Sequence, residues 1–378
     1  MASRLFHTRI LFILLAAAMP AQAQLTNIPT ANEQAILIHS KALNEDRTLW
    51  IHLPDSYTTH NKQSYPVLYL LDGDSHFKYA AEMTSYLAGY DRNRTPEMIV
   101  VGIVNVDRGR DFNPTRNGDS AAASRFLQFI ASEAVPYVDK NYRTQPYRIL
   151  AGHSLGGLFA LYAWEKAPQL FSSAILISPA IDGANQVFTN RFPASLQHPS
   201  HQRGKFFITL GNENPHVVDT LAAMLKKDAP KNLQWQLNKY EAENHFSVTY
   251  KSLFDGLKFI YANWFIDFYG SRKMAYKDIS THFDSLSVEF GYKISPTEEF
   301  VNNCGYRQLR LGNTSEAIDI FQHNIALFPQ SANAYDSMGE AYMVNGDKEK
   351  AIANYEKSIR LNPANEDGKA MLQKLKAP

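Results

Sequence analysis

Gly152-His153-Ser154-Leu155-Gly156-Gly157 contains the pattern G-x-S-x-G, and the predicted fold is built outward from it. A short apolar run, residues 147–151, precedes this motif, and an apolar segment with helical spacing, residues 158–164, follows it. This order predicts a strand, a sharp turn that carries the serine, and a buried helix. The serine hydroxyl would lie near a helix N-terminus, which stabilises developing negative charge. We therefore predict that Ser154 is a nucleophile; the alternative is a Gly-Ser-Gly turn without chemistry.

The composition is that of a globular protein. The chain has 378 residues, of which 45% are hydrophobic and 20% charged, and this length allows two domains. A net charge of +1 lends no support to disorder or to nucleic-acid binding. The single cysteine, Cys304, excludes intramolecular disulfides.

The first 23 residues have the pattern of a secretory signal peptide. Arg4 and Arg9 form a positive start, and Ile10 to Met19 is an apolar run too short to span a bilayer. Ala21-Gln22-Ala23 supplies the small residues that precede a cleavage site. We expect a periplasmic or secreted protein whose mature chain has no integral membrane segment. An uncleaved N-terminal anchor is the alternative.

The pattern of residues 24–270 predicts an α/β-hydrolase domain. Apolar runs alternate with helical patterns, as in a mostly parallel sheet that helices cover on both faces. Two early runs, residues 35–39 and 48–53, are expected to form an antiparallel edge. The remaining strands are predicted at residues 66–71, 98–104, 147–151, 173–178, 205–210 and 233–240. The helices are predicted from residue 74 to about 90, and at residues 121–138, 158–164, 217–227 and 247–268.

After residue 270 the pattern is helical only. Residues 271–297 contain one amphipathic linker helix, and residues 298–378 contain a repeat with a period of 34, followed by a capping helix. Small, aromatic and proline residues match in one register: Gly305 with Gly339, Gly312 with Gly346, Ala317 with Ala351, Phe321 with Tyr355, Leu327 with Leu361, and Pro329 with Pro363. This pattern resembles two tetratricopeptide repeats, although Gln308 stands where that family usually has tyrosine. Stabilisation of the chain and binding of a protein or peptide partner both remain open as roles of the repeats.

A serine hydroxyl needs a histidine base, which a carboxylate orients. In α/β-hydrolases the three follow the order serine, acid, histidine, at the ends of strands. His245 follows the last predicted strand directly, so we predict that it is the base. The other histidines in this part of the chain fit less well: His198 and His201 match no strand end, and His216 lies before a helix.

For the acid we predict Glu213, which comes directly after the strand 205–210. Asp219 is the next choice, although a helix would carry it outward. Glu241 and Glu243 are close to the histidine in sequence, which more often indicates a solvated turn. A serine–histidine pair without a third member also remains open.

The oxyanion of the reaction needs backbone donors. We predict the N–H of Leu155 as one donor and the turn at Gly73 and Asp74 as the other, although a plain strand-ending turn would explain Gly73 equally well. The loop 105–120 should border the same site, and its arginines could receive an anionic or polyphenolic substrate: Arg108, Arg110 and Arg116. A solvated loop is the alternative.

The serine motif, Tyr142-Arg143-Thr144 and the turn Val67–Gly73 together resemble the putative esterase family, which includes esterase D and the enterochelin esterases. The resemblance covers residues 30 to 268 and implies hydrolysis of carboxylic esters, siderophore esters among them, with Ser154 as nucleophile and His245 as histidine. We predict an exported serine hydrolase that acts on a small-molecule ester and needs no cofactor or metal. The alternatives are an acyltransferase that uses the same residues and a catalytically inert interaction protein.

Overall fold

The computed structural model describes residues 32–89, 92–114, 120–181, 192–197, 204–266 and 273–377. The predicted signal peptide lies outside these residues, as do Arg116, His198 and His201.

The hydrolase part is built on one eight-stranded sheet within the described residues, in the order β1-β2-β4-β3-β5-β6-β7-β8. β2 is antiparallel to both of its neighbours, and the other strands pair in parallel, which confirms the predicted mostly parallel sheet. The strands are β1 Glu33–Ser40, β2 Glu45–His52, β3 Tyr65–Leu70, β4 Ile99–Ile103, β5 Thr144–His153, β6 Ser173–Ile177, β7 Gly204–Leu210 and β8 Leu233–Lys239. Strands β3 and β4 are buried along their whole length, as their continuous apolar sequences require.

Helices cover the sheet on both faces, and each face has its own apolar core. The helices are α1 Gly73–Ala88, α2 Arg108–Asp111, α3 Ala121–Phe129, α4 Val135–Asn141, α5 Leu155–Lys166, α6 His216–Asp228 and α7 Val248–Ile260. A π-helical turn, Ile130–Ala134, joins α3 to α4, so the helix predicted over residues 121–138 is essentially continuous.

The predicted closing helix, residues 247–268, was wrong in its length, because α7 ends at Ile260. Tyr261 to Trp264 form a turn instead. The Tyr261 ring stacks on Phe290 with ring centroids 5.0 Å apart, and the Trp264 indole N–H donates to Asn93 at 3.2 Å. The aromatic residues that suggested a longer helix therefore serve a tertiary contact.

The C-terminal part contains α8 Tyr276–Phe290, α9 Glu298–Arg310, α10 Thr314–Leu327, α11 Ala332–Val344, α12 Lys348–Leu361 and α13 Glu366–Lys376. The bounds of α9 and α10 recur 34 residues later in α11 and α12, so the sequence repeat corresponds to a structural one. A β-carbon on Gly305 would collide with the ring of Phe321. One on Gly339 would lie 3.0 Å from the ring of Tyr355, so small residues at both positions permit the helix pairs to pack closely.

Helix α8 joins the repeats to the hydrolase part. Phe290 lies against Tyr147 of β5, with ring centroids 5.0 Å apart, as well as against Tyr261. The buried Lys205 of β7 donates to the Ile260 carbonyl at 2.6 Å and forms an ion pair with Glu289. One apolar core therefore continues from the sheet through α8 to Val301, Cys304 and Ile320 of the first repeat.

Candidate active site

Ser154 lies on the turn between β5 and α5, as predicted. Its backbone has φ 56° and ψ −117°, a conformation that a residue other than glycine adopts only under strain. The surrounding structure holds this turn, because Ser154 N–H donates to the Ile177 carbonyl and Ala180 N–H donates to the Ser154 carbonyl. Ser154 is half-buried.

The glycines of the motif are needed for the close approach of strand and helix. A β-carbon on Gly152 would collide with the Gly156 carbonyl. One on Gly157 would lie 3.0 Å from Pro179. A larger residue at either position would push α5 away from β5 and relax the turn that presents the serine.

The structure pairs the predicted base with the predicted acid. His245 Nδ1 lies 2.7 Å from Glu213 Oε2, although 32 residues separate the two in sequence. A carboxylate accepts hydrogen bonds, so Nδ1 carries the proton and Nε2 is left to accept one. Both side chains are about 30% exposed, which places the pair at the edge of the site.

The turns that carry these two side chains touch through their backbones. Asn212 N–H donates to the Glu243 carbonyl at 2.6 Å. A β-carbon on Gly211 would lie 2.9 Å from the Asn244 backbone, which explains the glycine before the acid.

The other candidate acids have different partners. Asp219 of α6 forms an ion pair with Lys239 at 2.7 Å and is half-exposed. Glu243 accepts a hydrogen bond from the Ser247 hydroxyl at 2.6 Å, and Glu241 is exposed. His216, the remaining described candidate for the base, is exposed at the start of α6.

No hydrogen bond joins the Ser154 hydroxyl to the His245 imidazole within the described residues. The imidazole lies close by, because its ring centroid is 4.6 Å from that of His153, the residue that precedes the serine. The hydrogen bond between a catalytic serine and its histidine is often long in unliganded enzymes and shortens when substrate binds.

The predicted oxyanion donors begin two helices. Asp74 follows Gly73 in the first turn of α1, and Leu155 is the first residue of α5. These N–H groups have no acceptor in the part of the chain that the structure describes. Gly73 also packs against β4, because a β-carbon there would lie 2.6 Å from the Gly102 carbonyl carbon. Close packing therefore accounts for this glycine.

The Arg108 guanidinium lies next to the turn that carries Ser154. Its guanidinium donates to both carboxylate oxygens of Asp72, at 2.6 and 3.0 Å, and its Nη2 also donates to the His153 carbonyl at 3.0 Å. Asp72 is buried, and Asn105 donates to it at 2.8 Å. The guanidinium is therefore held beside the serine turn, with 34% of the Arg108 side chain exposed.

Arg110 has a different environment. Its guanidinium donates to both carboxylate oxygens of Glu45, at 3.0 and 2.6 Å, and to Asp111 at 2.7 Å. Asp111 is in turn paired with the buried Arg47. These carboxylates compensate the charge of Arg110, which does not support the substrate contact that we predicted for it.

Two further imidazoles lie at the site, and sequence reasoning missed both as site residues. Burial lowers the pKa of His76 below its ordinary value. Burial, and then the proximity of His245, lower the pKa of His153 to about 4. The two rings meet at 5.9 Å in an edge-to-face contact. Because His153 lies inside the serine motif, its position in the sequence could have identified it as a site residue.

The part of the chain that the structure describes contains neither a cluster suited to a metal ion nor a helix suited to span a membrane. Within the described ranges, no group of three or more histidine, cysteine, aspartate or glutamate residues is arranged to hold a metal ion. Among the helices described, none combines the length and the apolar composition needed to cross a bilayer.

Two parts of the chain match models of known protein families. Residues 40–260 match the model of a family described as putative esterase, and residues 332–365 match a tetratricopeptide-repeat model. The ferri-bacillibactin esterase BesA of Bacillus subtilis is 30% identical over an alignment of 207 positions that covers 48% of this chain and 66% of that protein. The uncharacterized protein YjcH of the same organism is 30% identical over 146 residues, 38% of this chain and 60% of that protein. The chain thus spans 60% of the length of one of these relatives and 66% of the other.

Among solved structures, an IroE-like serine hydrolase from Shewanella oneidensis is similar over 78% of this chain and 99% of its own. The TM-score is 0.69 and the sequence identity 26%. This likeness confirms the predicted α/β-hydrolase fold.

Proposed function

We propose that this chain, which belongs to the putative esterase family, hydrolyses carboxylic esters through an acyl-enzyme on Ser154. Because the chain belongs to this family, residues 40–260 form a carboxylic-ester hydrolase domain. Which of its residues react is our proposal. The observation that supports it most is the His245–Glu213 pair, 2.7 Å apart, beside a serine on a strained strand-to-helix turn.

In this mechanism Ser154 Oγ attacks the acyl carbon while His245 Nε2 takes the hydroxyl proton. The ester C–O bond then breaks, and the imidazolium returns the proton to the departing alkoxide. Water next attacks the acyl-enzyme, His245 again accepts a proton, and the carboxylic acid leaves with Ser154 restored. Glu213 holds the Nδ1 proton and stabilises the imidazolium in both halves of the reaction.

The negative oxygen of each tetrahedral intermediate requires donors that are already in place. The free N–H of Leu155 and the N–H groups at Gly73 and Asp74 are the backbone candidates. Arg108 adds guanidinium N–H donors at the same turn, and Asp72 balances its charge and, with the His153 carbonyl, fixes its position. We assign it to stabilisation of the oxyanion rather than to capture of an anionic substrate.

Replacement of the nucleophile tests the proposal. Ser154→Ala should reduce turnover of a short-chain aryl ester by at least about 10³-fold, with an unchanged melting temperature. Ser85→Ala is the matched control: the Ser85 hydroxyl lies 3.2 Å from His52 Nε2, away from the strained turn, and its loss should leave turnover intact. Unchanged turnover in Ser154→Ala would refute the mechanism. An alcohol added as competing acceptor separates hydrolysis from acyl transfer, because transfer yields a new ester.

For the substrate we propose siderophore-type esters with aromatic groups. A relative is named ferri-bacillibactin esterase. Phe246, whose ring contacts that of the base, is 77% exposed, and Tyr250 in the first turn of α7 is 56% exposed. Such rings offer flat apolar surface to an aryl group. A triscatecholate lactone should therefore be cleaved with a higher kcat/KM than an aliphatic ester, and the reverse order would contradict this choice of substrate.

Export is a separate proposal, which the N-terminal sequence supports. The mass of the protein recovered from its cells should correspond to a chain that begins at Gln24, and a chain that retains residues 1–23 would contradict it.

The tetratricopeptide repeats also lead us to propose a protein or peptide partner, for which co-purification with the full chain is the test.

A further inference from the structure

The side chain of His153 connects the nucleophile's strand to the turn that carries the base. His153 ends β5 directly before Ser154, and its ring is 6% exposed. Its Nε2 lies 2.6 Å from the carbonyl oxygen of His245, 92 residues away in sequence. A carbonyl oxygen only accepts, so His153 Nε2 carries a proton and donates it.

The two imidazoles are also packed against each other. Their ring centroids are 4.6 Å apart at an angle of 47°, and His76 contacts the His153 ring at 5.9 Å. Burial and the nearby His245 ring lower the pKa of His153 to about 4; the hydrogen bond to the His245 carbonyl and the Asp72 carboxylate oppose this shift, and His76 adds to it. His153 is therefore neutral near pH 7 and places no positive charge beside a His245 imidazolium.

The turn of residues 241–247 has its other attachments on the acid's side. Asn212 N–H donates to the Glu243 carbonyl, and Gly211 packs on the Asn244 backbone. These contacts fix His245 relative to Glu213 and β7. The hydrogen bond from His153 fixes the same residue relative to Ser154 and β5, so the two attachments together define where the imidazole lies.

We propose that His153 is a positioning residue, which holds the main chain of His245 at the distance from Ser154 that proton transfer needs. It does not contact the reacting atoms itself. The inference rests on the proposed function of Ser154 and His245.

Two substitutions separate the hydrogen bond from the packing. His153→Phe keeps a ring but loses the donor, and should lower kcat by ~10–100-fold with KM within about twofold, because small misplacements of reacting groups are costly. His153→Gln can donate its amide N–H from a similar position and should recover most of that loss. His60→Phe, on an exposed loop, is the control and should match wild type.

A spectroscopic measurement makes the test independent of turnover. The proton between His245 Nδ1 and Glu213 should give a far-downfield ¹H resonance, absent in His245→Ala. In a Ser154→Ala background this resonance should persist when His153 is retained and in His153→Gln. It should also persist in His153→Phe, because the contacts of Asn212 and Gly211 keep His245 on Glu213, so a loss of kcat with the resonance intact assigns the defect to the distance from Ser154.

The inference is overturned by wild-type kcat in His153→Phe, and equally by loss of the resonance in that variant, which would place the defect in the His245–Glu213 pair. It is equally overturned when His153→Phe and His153→Gln lose activity alike together with their thermal stability, since His153 would then serve packing alone. Full activity of Ser154→Ala would instead refute the proposed function, and the resonance would still report on the position of His245.

Discussion

At the scale of single residues, one ion pair, Arg108 with Asp72, holds a guanidinium next to the serine turn. Arg108 and Arg110 are two positions apart, yet only Arg108 has its guanidinium at the His153 carbonyl. The difference comes from the partners: Asp72 directly precedes α1 beside the site, whereas Glu45 belongs to β2. Two arginines that look equivalent in the sequence therefore have different partners and lie in different environments.

Arg108→Lys should lower kcat by ~10–100-fold, because a lysine cannot make the bidentate contact that holds the charge in place. Arg110→Lys is the matched control from the same loop and should keep kcat within about twofold. The measurement is steady-state kinetics with one aryl ester. Equal losses in both variants would assign the effect to the loop rather than to Arg108.

The acid can be tested in the same manner. Glu213→Gln should lower kcat by ~10²–10⁴-fold, because an amide has no negative charge to stabilise the imidazolium and its N–H₂ group can donate to Nδ1 and select the wrong tautomer. Asp219→Asn removes only a half-exposed ion pair with Lys239 and should have little effect. If Asp219→Asn were the more damaging change, our choice of acid would be wrong.

The thiol of Cys304 provides a test outside the site. Burial raises the pKa of Cys304 to about 12, so the reactive thiolate is scarce at neutral pH. We expect no reaction with a thiol-specific disulfide reagent in the native protein and one equivalent after unfolding. Rapid labelling of the native protein would contradict the packing of the first repeat against α8.

The three proposed reacting groups could be predicted from the sequence, and the groups around them could not. Ser154, Glu213 and His245 follow strand ends in a fixed chain order, so a linear pattern identifies them as candidates. The contacts of Asp72 with Arg108 and of His153 with His245 join residues 36 and 92 positions apart. Such pairs depend on how loops fold across the strand ends, which periodicity does not encode.

At the scale of elements, helix α8 is the connection between the hydrolase sheet and the repeats. Its linker position and amphipathic pattern were evident in the sequence, and its contact with Tyr147 and Tyr261 was not. The same contact explains why the closing helix was predicted too long. The aromatic residues after Ile260 fit a helical period, but they pack on Phe290 instead.

Phe290→Ala should therefore destabilise the whole molecule by ~3–5 kcal/mol, the usual cost of removing a buried phenylalanine. Val288→Ala, on the exposed side of the same helix, should change the free energy of unfolding by less than about 0.5 kcal/mol. Chemical denaturation of both variants checks this. Similar effects in the two variants would show that α8 does not anchor the repeats.

At the scale of the whole molecule, the buried histidines set the response to acid. Burial lowers the pKa of His52, His76, His153 and His282 relative to the ordinary value of 6.5. Below that value the unfolded chain binds protons that the folded chain does not, so stability is present at neutral pH and is lost as pH falls. For His153 the loss extends from about 6.5 to about 4.

The free energy of unfolding should therefore decrease between pH 7 and pH 5, by at most about 1.4 kcal/mol per pH unit for each such histidine. Urea titrations at several pH values measure it. In His153→Phe the slope should be smaller. Stability that is constant or rises on acidification would contradict the burial of these rings.

The central claim is that Ser154 carries the acyl group, and covalent trapping tests it most directly. The protein is treated with a fluorophosphonate, digested, and analysed by mass spectrometry, with Ser154→Ala and Ser85→Ala in parallel. We predict one adduct, on the peptide that contains Ser154, in the wild type and in Ser85→Ala, and none in Ser154→Ala. An adduct on another residue, or equal labelling of Ser154→Ala, would contradict the account.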